Sequence, residues 1–208
     1  MDLTIVSMLS VDGLTNGAIY ALLGLATVMV FAVTRVIFIP QGEFVAFGAL
    51  TLAMLQSHAV PGTVWLLLLL AALVAVLDLV QGLREQWPAQ RVIKALWRAL
   101  AIPLLACGLT VALAPMNLSL WANAALSLAL VTPMGPLIYR LAYQSLESST
   151  PLVLLIVSVG VHFGLTGLAL VFFGPEGYRN PAFWDAQLSL GDIPVSGQAL
   201  IIFATTVV

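Results

Sequence analysis

A chain of 208 residues that is 62% hydrophobic and only 8% charged, with a mean hydropathy of +1.10, cannot clothe a water-soluble domain; such a domain carries roughly a quarter charged residues. Seven Lys plus Arg against nine Asp plus Glu leave no basic surface able to release counterions from nucleic acid, so no nucleic-acid partner is expected. Apolar runs recur along the chain without strand-type alternation, which makes the lipid bilayer the solvent and helices the spanning structure.

The first twelve residues hold Asp2 and Asp12 but no Lys or Arg, so they lack the positive region of a signal peptide and the first span is expected to stay in the mature protein. That span is read at 13–33. Gly13 and Gly17 form a GxxxG that permits close helix approach, and Asn16 and Tyr20 beside them are polar groups that need partners or a pathway. The next segment, 34–43, contains Arg35, Pro40, Gln41, Gly42 and Glu43. Pro40 disfavours helix at Ile39 and suits a helix start, so a broken helix is expected near Pro40. The run that follows, 44–59, would reach only about 24 Å as helix, short of the ~30 Å hydrocarbon core. A helix starting near Gln41 has a positive dipole end that suits a substrate carboxylate. Gln41 is then a contact and Glu43 a gate or ammonium partner, unless Glu43 lies at the membrane rim.

Further spans are read at 64–80, 99–116, 118–138 and 151–173, with Asp78 as a snorkelling residue at a span end. The connection 81–98 carries Arg84, Arg91, Lys94 and Arg98 against Glu85, which places it on the cytoplasmic side. Alternation then puts Arg35 and Arg140 inside, leaves Arg179 outside and sets the N-terminus outside. Cys107 has no partner for a disulfide or a metal site. Ser158, His162 and Thr166 recur every four residues and share one helix face, either as interhelical hydrogen-bonding groups or as a pathway lining; His58 stands apart from them. In the long connection 174–198, Leu188, Leu190, Ile193 and Val195 flank Gly191-Asp192, a pattern for a small external β-hairpin. Residues 199–208 make about half a span, so the chain is expected to be cut within one. The expectation is therefore an all-α polytopic membrane protein forming a single transmembrane domain, 1–208. It has six complete transmembrane helices, a truncated seventh and no metal site. Neither a phosphate-binding loop of the GxxxxGK[ST] type nor HExxH nor GxSxG occurs, so no catalytic constellation is expected.

Residues 13–50, with Asn16-Gly17-Ala18-Ile19-Tyr20-Ala21-Leu22 and Ile37-Phe38-Ile39-Pro40-Gln41-Gly42-Glu43, resemble the start of LIV-type permeases, the branched-chain amino acid ABC importers. Pro40 and Gln41 stand where that family usually has Ala-His. Tyr139-Arg140-Leu141-Ala142-Tyr143 is similar to the family's cytoplasmic turn. The resemblance implies a multi-pass subunit of a bacterial inner membrane, paired with a second permease subunit. It would be driven by ABC ATPase subunits that bind the ATP, and supplied by a periplasmic solute-binding protein. It binds no cofactor of its own. Related permeases move urea or short amides. The competing readings are an ATP-independent secondary transporter or channel, and an intramembrane enzyme or structural subunit.

Overall fold

A computed structural model describes residues 3–190 and 193–207. Its architecture is helical, and five helices are long and apolar enough to cross a membrane, as in a multi-pass membrane protein. By contacts the chain divides into two compact units, Met1–Phe38 with Pro181–Val208, and Ile39–Asn180.

In the first unit, α1 spans Leu3–Thr34. It begins ten residues before the expected 13, because the apolar residues ahead of Gly13 prolong the helix. Its hydroxyls are satisfied within the helix: Ser10, Thr15, Thr27 and Thr34 each donate to the carbonyl four residues back, at 2.7–2.8 Å. This is the usual way to keep a hydroxyl in an apolar medium. Strands β1 (Gln187–Leu190) and β2 (Ile193–Ser196) pair antiparallel in the register Gln187↔Ser196 to Leu190↔Ile193. The expected turn, Gly191-Asp192, lies outside the described residues. Helix α8, Gly197–Val207, follows directly.

The start of α8 is fixed to residues 183–186: the Gly197 N–H donates to the Ala186 carbonyl at 2.7 Å, and Gln198 Oε1 accepts from the Phe183 N–H at 2.9 Å. A β-carbon on Gly197 would lie 2.6 Å from the Trp184 indole. Gly197→Ala is therefore expected to push the ring aside at a cost of about 1–3 kcal/mol. A lowered melting temperature together with a shifted Trp184 emission checks this; unchanged emission would refute it.

The second unit runs from α2 (Gln41–Gln56) through α3 (Gly62–Arg84), α4 (Ala89–Leu113), α5 (Leu120–Val131) and α6 (Met134–Ile138) to α7 (Pro151–Phe173). Pro40 is the N-cap of α2, so the helix starts where the break was expected. At 16 residues α2 falls short of a full span, and it ends at Gln56 rather than 59. His58 has φ of 56°, its N–H bonds the Leu55 carbonyl and the Ala59 N–H reaches back to Met54. This left-handed closure satisfies the last carbonyls and stops the helix. The same device closes α3: Gln86 has φ of 50° and the Trp87 N–H bonds the Gly82 carbonyl.

Two expected boundaries are corrected. The basic connection is only 85–88 rather than 81–98, because α3 continues to Arg84 and α4 begins right after Pro88. Proline preorganises a helix start there, and the amphipathic residues after it are helical. The span expected to end at 138 continues to Leu146, so that Leu120–Leu146 is one apolar helical stretch. Beyond α6 it passes through a π-helical turn, Tyr139–Tyr143, and a 3-10 turn, Gln144–Leu146.

The core of this unit is apolar, with Phe47, Leu55, Leu66, Leu67, Leu130, Met134 and Tyr143 fully buried. Phe47 of α2 meets Phe173 of α7 with ring centres 6.0 Å apart. Ser127 Oγ of α5 donates to the Gly48 carbonyl of α2 at 2.7 Å. The Thr51 and Thr63 hydroxyls share a hydrogen bond between α2 and the first turn of α3. Cys107 is buried in α4 with its thiol directed at the Val64 carbonyl, 3.6 Å away.

Candidate functional site

Polar side chains inside apolar helices are costly unless partnered, so their partners locate a site. The start of α2 at Gln41 places Glu43 in its first turn, where the Glu43 N–H bonds the Pro40 carbonyl at 3.1 Å and the carboxylate favours the helix dipole. Helix α7 brings His162 to it: Nδ1 lies 2.6 Å from Glu43 Oε1, with the Glu43 side chain 14% exposed and His162 35%. The contact is close but poorly directed, since His162 Nδ1 has no aligned hydrogen bond. Glu43 Oε2 is a buried acceptor with no hydrogen-bond partner. The pair is ionic only when the imidazole is protonated.

One turn earlier on α7, Ser158 is buried and its hydroxyl shares a 2.9 Å hydrogen bond with the Tyr143 hydroxyl of the π-helical turn. The same turn carries Arg140, whose guanidinium is paired with Asp78 of α3. Tyr139 and Tyr143 stack with ring centres 6.2 Å apart. Asp78 is 1% exposed and Arg140 30%. Asp78 thus does not snorkel at a span end, as its sequence position suggested; it is buried, and Arg140 reaches it from a helical stretch rather than from a loop. π turns concentrate at functional sites because they redirect side chains within a helix, and this one aims Arg140 at α3 and Tyr143 at α7.

The residues singled out in the sequence separate. Glu43 and His162 come together, and Gln41 sits half-buried two residues before Glu43 in the same first turn of α2. Ser158 faces Tyr143, whereas Thr166 is exposed and donates to the His162 carbonyl at 2.9 Å, so of the α7 stripe Ser158 and His162 meet side chains of other elements and Thr166 bonds within its own helix. Asn16 and Tyr20 are exposed on α1, in the other unit. The Asp78–Arg140 pair and Tyr143 were missed. Charges within apolar runs were the available signal, but nothing in their spacing pairs residues 78 and 140. Among the described residues no cluster of three His, Cys, Asp or Glu side chains is placed to hold a metal. Chemically, the site offers a carboxylate and imidazole able to exchange a proton, a spare carboxylate oxygen for a cationic donor, and a helix start beside them for an anion.

Compared with known proteins, the chain matches no family model, no curated protein and no solved structure.

Proposed function

We propose that the chain is the membrane-spanning permease subunit of an ABC importer for branched-chain or similar amino acids. In this reading a periplasmic solute-binding protein delivers the substrate. Separate ATPase subunits bind and hydrolyse the ATP, and a second permease subunit completes the pathway in a bacterial inner membrane. The observation that carries the reading is Glu43. It lies in the segment that resembles the LIV-type permeases, and its Oε2 is a buried acceptor without a partner. A zwitterionic substrate supplies both complements: its ammonium to Glu43 Oε2, and its carboxylate to Gln41 and the positive end of α2. His162 lies against the other carboxylate oxygen and leaves Oε2 to the substrate.

Two acid–base pairs within apolar helices also favour a second reading, an ATP-independent carrier that moves a proton through His162 and Glu43. Urea or a short amide, having no ammonium, would not require the Glu43 charge.

Uptake by the complete transporter separates these. Glu43→Gln is expected to lower amino-acid uptake at least about tenfold, the loss of one charge-assisted contact, with expression in the membrane unchanged. Gln41→Leu is expected to weaken uptake less. Wild-type kinetics in Glu43→Gln would remove Glu43 from the substrate site. Uptake that survives loss of the ATPase partner but stops with a protonophore would favour the carrier.

A further inference from the structure

We propose that the α3–α4 turn holds an anionic phospholipid, its phosphate against Arg91, Lys94 and Arg98 and one acyl chain along the apolar face of α4. Four of the seven basic residues of the chain fall within 84–98, and all four are exposed. The single acid of that stretch, Glu85, is engaged: its Oε2 accepts a 2.7 Å hydrogen bond from the Trp87 indole. Arg91 is held in place over the same indole, 4.3 Å from the ring centre. Among the described residues, Arg84, Lys94 and Arg98 have no ion-pair partner. The turn is thus a cluster of uncompensated cations, with one of them fixed by an aromatic ring.

A second feature begins within the same turns. Ile93, Leu96, Trp97, Leu100, Ala101 and Leu104 line a groove of about 310 Å³ on α4. From residue 93 to 104 the groove follows about 16 Å of helix at 1.5 Å per residue, roughly half of a ~30 Å hydrocarbon core. That is the reach of one acyl chain within its own leaflet. Lys94 lies one helical step to the side of this face where the groove opens on the turn, with Arg91 just before it, and Arg98 follows on the same side one turn deeper. A free anion would use the cations and leave the groove empty, and a neutral lipid would use the groove and leave the cations unmatched. An anionic phospholipid uses both. Because α3 and α4 are joined by only residues 85–88, the two helix ends sit at one level of the bilayer, as a headgroup requires.

The test uses the full chain reconstituted in phosphatidylcholine nanodiscs, with phosphatidylglycerol or phosphatidylcholine bearing brominated acyl chains titrated in. Quenching of Trp97 is obtained as the difference from a Trp97→Phe chain. Brominated phosphatidylglycerol is expected to half-quench Trp97 at a mole fraction at least about tenfold lower than brominated phosphatidylcholine, since each cation at a membrane surface contributes severalfold. The combined Arg91→Gln, Lys94→Gln, Arg98→Gln variant is expected to lose that preference. Ala101→Phe, which fills the groove and leaves every charge in place, is expected to reduce quenching by both lipids, and it serves alone if the triple variant does not fold. Equal quenching by the two lipids, an unchanged preference in the triple variant, or undiminished quenching in Ala101→Phe overturns the proposal. Displacement of the brominated phosphatidylglycerol by millimolar inorganic phosphate also overturns it, assigning the cations to a free anion.

Discussion

Arg140→Leu is expected to destabilise the protein by about 3–5 kcal/mol, the cost of removing one partner of a buried ion pair. The loss comes from Asp78 rather than from Arg140. Asp78 is 1% exposed in the C-terminal third of α3, and without the guanidinium its carboxylate has no other cation among the described residues. Asp78→Leu should cost less, because Arg140 is 30% exposed and its long stem can carry the charge toward polar surroundings. The double variant, with Leu at both positions, should recover much of the loss, since an apolar pair often replaces a buried ion pair without penalty. Unfolding of the four proteins in mixed micelles, followed by helicity, gives the cycle. Equal losses in the two single variants would show that burial of Asp78 does not govern the pair.

Gly62→Ala is expected to cost about 2–3 kcal/mol, at the upper end for an overpacked contact. A β-carbon there would lie 2.5 Å from the Phe172 carbonyl oxygen and 3.0 Å from its carbonyl carbon. Both are backbone atoms of α7 and cannot rotate away. The first turn of α3 would have to separate from the last turn of α7, straining the Thr51–Thr63 hydrogen bond and the contact of Phe47 with Phe173. Gly108→Ala supplies the contrast: nothing lies within 4 Å of its β-carbon, and alanine in a helix interior is favoured over glycine by about 0.5–1 kcal/mol. The two substitutions should shift the unfolding midpoint in opposite directions. A Gly62→Ala protein as stable as the parent would mean that the α3–α7 approach is looser than described.

What the sequence made legible follows the range of the physics involved. The helical membrane class rests on composition, and the start of α2 at Gln41 rests on Pro40, a local backbone restriction. Glu43 and the α7 stripe could be singled out because a polar group in an apolar run is conspicuous on its own. Boundaries were less legible. The ends of α2 and α3 depend on His58 and Gln86 taking left-handed backbone angles, which neither residue type announces as glycine would. The basic stretch 81–98 read as a loop because charges suggest solvent, yet its second half continues the apolar groove of α4 at helical spacing. Pairing was not legible at all. Asp78 and Arg140, or Tyr143 and Ser158, meet only because α3, the π-helical turn and α7 pack together.

The π-helical turn joins two of these contacts in one mechanical part. Arg140 near its start engages α3 and Tyr143 at its end engages α7. The directions of the two side chains hold only while the turn keeps its extra residue, because an ordinary α turn would set a different angle between them. Releasing either contact therefore loosens the other, so that α3 and α7 are geared to each other through five residues of backbone.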